Sequence, residues 1–251
     1  MLNSIIETSS YLLNNYLAAN SAKEYLNNRL DIQTQEKFEF GYFPDAQHIE
    51  SLTSIIGDQI LLDNKLMYYR EVSDNYGYHK VPFLYFENYP LIMPFKDPYG
   101  NSIGLVGRSL LSDSEREEQK ISKYKNTIFK KGNYLFGLYE NAENILKQDC
   151  IYIVEGQFDV IKAYQYGFRN VVALGSCAMT DYQFAMIKRY TDNIFLLLDN
   201  DEAGDKGKER IHKKYDSYAD IIDINLPKQY KDLDEYLSIN RCSFEEIDFR
   251  M

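Results

Sequence analysis

Apolar residues recur in two rhythms along the chain, and the change between them divides it. Over residues 3–30, Ile6, Leu13, Leu17, Tyr25 and Leu26 stand among polar neighbours, which predicts one or two amphipathic helices ending near Arg29. A second helical stretch is expected over residues 50–64. Between the two, FEFGYFPD places Gly41 and Pro44 in a turn after a short aromatic segment. LIMPF and SIGLVG then flank KDPYGN, whose Asp97, Pro98 and Gly100 are turn formers, so this stretch predicts a β-hairpin. The polar run LSDSEREEQKISKYKNTIFKKGN that follows is expected to be an exposed loop.

After Cys150 the pattern becomes a regular alternation. CIYIV, NVVAL, IFLLL and ADIIDINL are short apolar runs, and QFDVIKAYQYG, TDYQFAMIKRY and AGDKGKERIHKKY between them have the length of crossover helices. Apolar runs without polar alternation belong to strands buried on both faces, and strands separated by helices pair in parallel. The expected fold class is α/β. A C-terminal domain over 141–251, with a central parallel sheet flanked by helices, follows an α+β domain over 1–140.

With 251 residues, 45% of them hydrophobic, the chain can bury a substantial core. A net charge of −10 excludes a protein that coats nucleic acid by bulk attraction, so any such contact must be local. Cys150, Cys177 and Cys242 form no CxxC pair, which supports neither a zinc site nor a disulfide framework and makes a reducing cytoplasm the default. The N-terminal MLNSIIETSSYLLNNYL lacks a basic leader, and no run approaches the about 18 apolar residues of a membrane span. A soluble, unprocessed chain without a membrane partner is expected.

In an open parallel sheet, reactive groups gather beyond the carboxyl ends of the strands. Glu155 follows CIYIV and precedes Gly156, with Asp159 one helical turn later; Asp199 and Asp201 follow IFLLL; Asp232 and Asp234 follow the last strand. Residues two apart in extended backbone project from the same side, so Asp199 and Asp201 would repel unless a cation lay between them. Hard oxygen ligands select Mg²⁺ or Mn²⁺, and Glu155 on a neighbouring strand end completes the set. Phosphoryl and nucleotidyl transfer use such sites.

Each acid taken singly is better explained as a helix cap or first-turn charge. Acids after three strands of one sheet fit that explanation less well. Gly156 and Gly204 are expected to turn the backbone tightly beside the site. His48, His79 and His212 are isolated and expected at the surface, Cys177 is expected to pack in its loop, and most tyrosines belong to core or interface.

EGQFDV at 155–160 and DNDEAGDKG at 199–207 resemble the EGxxD and DxDxAG signatures of the Toprim domain. That domain occurs in bacterial and phage primases, type IA and type II topoisomerases, some nucleases and recombination proteins. Upstream, LIMPFKDPYGNSIGLVGRSL resembles the FPI-x-D-x-x-G-x-x-x-GFGGR segment of DnaG-type primases. SKYKNT and FKKGNYLFGLYEN are similar to their PKYxNSPET and F-x-KGxxLYGLxxA blocks, FEFGYFPD to FxIGYAP, and KDLDEYL to DPDxxV. The ordered matches cover most of residues 20–240.

The resemblance implies a DNA primase core, a DNA-directed RNA polymerase of replication encoded by a phage or other mobile element, with the Toprim subdomain over 141–251. Glu155, Asp199 and Asp201 would bind two catalytic Mg²⁺ or Mn²⁺ ions, with Asp159, Asp232 and Asp234 as further metal carboxylates and Gly156, Gly204 and Asp205 in support. Arg108, Lys123 and Lys131 would contact template or nucleotide phosphates, whereas Lys120, Lys125 and Lys130 are expected on solvated surface. The implied partners are single-stranded DNA, ribonucleoside triphosphates and a replicative helicase.

Three departures stand out. FENYPLIMPF lacks basic residues where relatives often carry them, nothing has the Cys and His spacing of a zinc ribbon, so no zinc is expected, and little chain follows the Toprim region. A Toprim nuclease, or a primase-like protein that binds the replication machinery without synthesis, are the competing readings.

Overall fold

The computed structural model describes residues 2–74, 77–243 and 246–247, and the chain separates into two units, residues 1–95 with 102–129 and residues 96–101 with 130–251. A division at residue 140 would fall inside a helix spanning Leu138–Gln148.

The first unit opens with α1 (Leu2–Asn15), α2 (Asn20–Asn27) and α3 (Ile32–Lys37). α1 buries Ile5, Ile6, Leu12 and Leu13 along one stripe, whereas Leu17 sits in a connecting 3₁₀ turn and is 83% exposed. Asp31 caps α3, its carboxylate accepting from the Thr34 N–H at 2.7 Å. Gly41 is not in a turn: Gly41–Tyr42 form β1, antiparallel to Ile92 and Leu91. A Cβ on Gly41 would lie 2.6 Å from the Ser9 Cβ, so the absent side chain lets α1 press onto the strand.

The helical stretch expected over 50–64 is split by Gly57 into α4 (Glu50–Ile56) and α5 (Asp58–Asp63). β2 (Met67–Asp74) and β3 (Gly77–Leu84) then pair as an antiparallel hairpin of their own. Most of their residues are at least partly exposed, so no apolar alternation announces them in the sequence. β4 (Leu91–Lys96) and β5 (Ser102–Arg108) are the expected hairpin, closed by the Asp97 N–H on the Asn101 carbonyl and the Gly100 N–H on the Asp97 carbonyl.

The polar run beyond them is not a loop. Ser112 and Glu115 form a capping box that starts α6 (Asp113–Gln119), and β6 (Tyr124–Asn126) pairs antiparallel with Val106–Arg108. The sheet runs β1-β4-β5-β6.

In the second unit α7 (Leu138–Gln148), β7 (Ile151–Val154), α8 (Gln157–Gln165), β8 (Val171–Ala173), α9 (Asp181–Ile187), β9 (Asn193–Leu196), α10 (Glu202–Tyr215), β10 (Asp220–Asp223) and α11 (Leu233–Asn240) follow in order. Four parallel strands lie in the order β10-β9-β7-β8, which is the α/β architecture expected. β7 and β8 are buried at every residue, whereas β9 and β10 alternate, so one face of the sheet is less covered on that side.

Ile151, Ile153, Val172, Ile194 and Leu196 of the sheet pack with Ile145, Ile187 and Ile211 of the helices. Each such burial is worth about 1.5–3 kcal/mol, and the core thereby fixes the strand ends from which the site is built. Before α7, Phe136 exchanges two 3.0 Å backbone hydrogen bonds with Ala173 as an antiparallel bridge on β8. Among the described residues no helix is long and apolar enough to cross a membrane.

Candidate active site

β7 and β9 are neighbours in register, Ile153 opposite Leu196, so the residues just beyond them emerge side by side. Glu155 follows β7, and its Oε1 accepts from the Asp199 N–H at 3.4 Å. Asp201 serves as the N-cap of α10, Oδ1 accepting from the N–H groups of Ala203 and Gly204 at 2.9 Å each. Asp232 caps α11 in the same way through the Glu235 N–H at 2.8 Å. The capping explanation therefore holds for these two acids.

Asp159, 4% exposed, spends both carboxylate oxygens on backbone: Oδ2 accepts from Gly156 N–H at 3.0 Å and Oδ1 from Asp234 N–H at 2.8 Å. It ties the loop that carries Glu155 to the start of α11. Asp234 is itself buried, and Asp205 lies exposed on the first turn of α10.

Gly156 and Gly204 do not adopt left-handed backbone, contrary to a tight-turn role; close approach explains them. A Cβ on Gly204 would lie 2.1 Å from the Asp199 carbonyl oxygen, and one on Gly156 would lie 2.6 Å from Asp159 Oδ2.

Burial first, and the charges of Asp199 and Asp201 next, push the Glu155 carboxyl up to about 7; Lys231 opposes them. The Lys231 ammonium stands 4.0 Å from Asp199 Oδ2 but is largely exposed. Burial, with the carboxylates of Asp232 and Asp234, holds Asp159 well above the usual carboxylate range. Among the described residues no three His, Cys, Asp or Glu side chains converge tightly enough to enclose an ion. Glu155 and Asp199 nonetheless fit a hard divalent cation: both are half-buried at neighbouring strand ends, and the charges of Asp199 and Asp201 press on the Glu155 carboxyl, a repulsion that a cation would relieve.

A cleft of about 630 Å³ opens beside Asp201, lined by Asn200, Asp205, Asn225 and Lys228 among others. The Asn200 side chain donates to the Tyr230 carbonyl at 2.7 Å and its backbone N–H to the Lys231 carbonyl at 2.8 Å. These bonds hold the loop leading to Asp232 against the Asp199 turn.

The expected cations divide between the units. In the first, Arg108 is only 7% exposed: its guanidinium lies 5.1 Å from the Tyr25 ring centroid and 5.0 Å from that of Tyr124, and donates to the Tyr124 hydroxyl. Lys123 is exposed, 5.8 Å above Tyr124. Lys125 is not a solvated lysine, since its ammonium sits 4.1 Å over Tyr85 and burial lowers its pKa. Lys120 and Lys130 are exposed as expected.

In the second unit Lys131 donates to the Gly175 carbonyl at 2.9 Å, and burial lowers its pKa. The Gly175 N–H donates to the Glu155 carbonyl at 2.9 Å. One residue thus links the lysine to the strand end that carries the candidate ligand. Gly175 has φ +78°, and a Cβ there would lie 2.9 Å from the Lys131 ammonium. The glycine after the apolar run NVVAL is the sequence signal for it.

His48 and His79 pair with Asp45 and Asp74, while His212 bridges Asp216 and Asp223 at 2.7 and 2.9 Å. Cys177 is half-buried against Gly207, whose Cβ would meet the Cys177 carbonyl at 2.4 Å.

Residues 10–142 match the family described as DNA primase catalytic core, N-terminal domain, and residues 152–237 match the Toprim-like family. The chain belongs to the DnaG-type DNA primase family. All the acids from Glu155 to Asp234 lie in the Toprim-like match, and Arg108, Lys123 and Lys131 in the primase-core match. A DNA primase of Aquifex aeolicus is 33% identical over 218 residues, covering 86% of this chain and 42% of that protein. One of Clostridium acetobutylicum is 31% identical over 247 residues, covering 94% and 38%. The chain thus spans about two fifths of these relatives.

Among solved structures, the zinc-binding and RNA polymerase domains of the Aquifex aeolicus primase superpose with a TM-score of 0.74 at 29% identity, covering 94% of this chain and 56% of that one. A DNA primase domain from Pseudomonas aeruginosa gives 0.73 at 27% identity, covering 95% and 74%. The primase-core fold, with its Toprim domain C-terminal, is therefore common to all three.

Proposed function

We propose that this chain is the polymerising core of a DNA primase, a nucleotidyltransferase that copies single-stranded DNA into short RNA. The observation that carries the proposal is the meeting of Glu155 and Asp199 at adjacent strand ends in a chain whose first half matches the primase catalytic core and whose second half matches the Toprim-like family. In the proposed reaction a ribonucleotide 3′-hydroxyl attacks the α-phosphate of an incoming ribonucleoside triphosphate, a phosphodiester bond forms and pyrophosphate leaves. Divalent cations, two Mg²⁺ or Mn²⁺ ions, would supply charge neutralisation at the phosphate and acidify the attacking hydroxyl.

Glu155 and Asp199 would hold the cations, with Asp201 joining through its second oxygen and Asp232 and Asp234 standing behind. Asp159 keeps that arrangement in place through the backbone it clamps. Lys131 offers its ammonium to triphosphate oxygens, and Lys123 to the template backbone. Arg108, packed between two tyrosines, would present a rigid edge of the template surface. A cytoplasmic setting beside a replicative helicase completes the reading.

The test is a reaction of labelled ribonucleotides with single-stranded DNA and Mg²⁺ or Mn²⁺. Oligoribonucleotides are expected from the wild type and none from Asp199→Ala, whose circular dichroism and melting temperature stay those of a folded protein. Cleavage of the template in place of synthesis would turn the assignment to a nuclease. Undiminished synthesis by Asp199→Ala would overturn the site.

A further inference from the structure

The segment that carries Lys131 lies ahead of the parallel sheet in sequence, yet it is fastened to the ends of the sheet's strands. Thr180 Oγ1 donates to the Gly132 carbonyl at 2.5 Å, and Phe136 bridges Ala173. Gln183, on α9, is 0% exposed. Its Nε2 donates both to the Tyr134 carbonyl at 2.8 Å and to the Leu174 carbonyl at 3.1 Å, while its Oε1 accepts from the Thr180 N–H at 3.1 Å.

Tyr134 belongs to the segment that carries Lys131, and Leu174 immediately precedes Gly175, whose carbonyl accepts from the Lys131 ammonium. A single buried amide therefore grips the chain on both sides of the Lys131 to Gly175 hydrogen bond. Capping α9 needs only Oε1, and an apolar side chain would fill the same space without the cost of burying an amide. The donors on Nε2 are surplus to both tasks.

We infer that Gln183 is a positioning residue, fixing the Lys131 ammonium at the strand end that carries Glu155. The inference rests on the proposed function only for what Lys131 then touches, the phosphates of a ribonucleoside triphosphate. Without the amide, the Tyr134 and Leu174 carbonyls lose their shared donor, and the lysine keeps its charge but loses its fixed place.

The test is acylation of the folded protein by an amine-reactive ester, read lysine by lysine by peptide mass spectrometry, with exposed Lys130 as the internal reference. Gln183→Met removes the donors at similar volume, and Gln183→Leu does the same with a stiffer side chain, so it serves if the first variant does not fold. Lys131 should react about fivefold faster relative to Lys130 in either variant, the loss expected of one net hydrogen bond. The KM for ribonucleotide should rise by about the same factor with kcat little changed. In a Lys131→Met background the substitution should add nothing further, since the two residues act as one unit.

Unchanged Lys131 labelling in a folded variant, or the same KM rise in the Lys131→Met background, overturns the inference. If labelling rises as expected but ATP with Mg²⁺ does not protect Lys131 in the wild type, Gln183 keeps its positioning role and the triphosphate reading is the part that fails.

Discussion

At the scale of single residues, Glu155 shows what the site demands. Its pKa in the folded chain, about 7, lies above the ordinary 4.5, so the folded state binds the extra proton more tightly than the unfolded one. Stability from this group is complete below about pH 4.5 and is lost as pH rises through 7. Glu155→Gln is expected to stabilise the metal-free protein by about 1 kcal/mol near pH 8, a figure reduced for the solvent that still reaches the group. Near pH 5 the gain should vanish. On the proposed function, Mg²⁺ or Mn²⁺ should raise the melting temperature of the wild type, and the same variant should abolish that rise. Urea unfolding at the two pH values checks the first part, and equal effects at both would remove the burial of the charged carboxylate beside Asp199 as the cause.

The residue types at this candidate site are legible in the sequence, because carboxylates after several strands of one sheet suit a hard cation. Their individual employment is not. Asp159 looks like Asp199 in sequence, but Asp199 sits at the rim and Asp159 has both oxygens committed to backbone N–H groups. Spacing along a chain says nothing about which oxygen a distant Asp234 N–H will reach. Lys131 and Lys125 are similarly indistinguishable as charges, and differ because one finds a carbonyl and the other a tyrosine ring.

At the scale of elements, the start of α10 is set by the fit between Gly204 and the turn before it. The Gly204 N–H bonds Asp201 Oδ1, and its Cα faces the Asp199 carbonyl at a separation that leaves no volume for a methyl group. Gly204→Ala drives a Cβ against backbone, so the turn bearing both aspartates must move. A loss of about 3 kcal/mol in unfolding free energy is expected, together with loss of primer synthesis. Wild-type activity at wild-type stability would show that the turn has slack.

The alternating half of the chain is readable because buried strands and crossover helices impose unmistakable periods. The polar run before Lys123 is not, since α6 buries none of its residues and is held by its capping box. The β2–β3 hairpin is hidden for a related reason, having little interior to mark an inward face.

At the scale of the whole molecule, the primase-core match runs past the first unit into the second as far as residue 142, and a chain of net charge −10 places its candidate phosphate contacts at a few named cations. The bridge between Phe136 and Ala173 bears on where the second unit begins. It covers the outer side of β8, the last strand of the parallel sheet, using residues that a cut at 141 would discard. Such a piece would present Ala173 with an open N–H and C=O along an apolar edge, the arrangement that recruits strands from other molecules. A fragment beginning at 141 is expected to self-associate, sedimenting faster as concentration rises. A fragment beginning at 130 carries its own edge guard and should sediment independently of concentration over the same range.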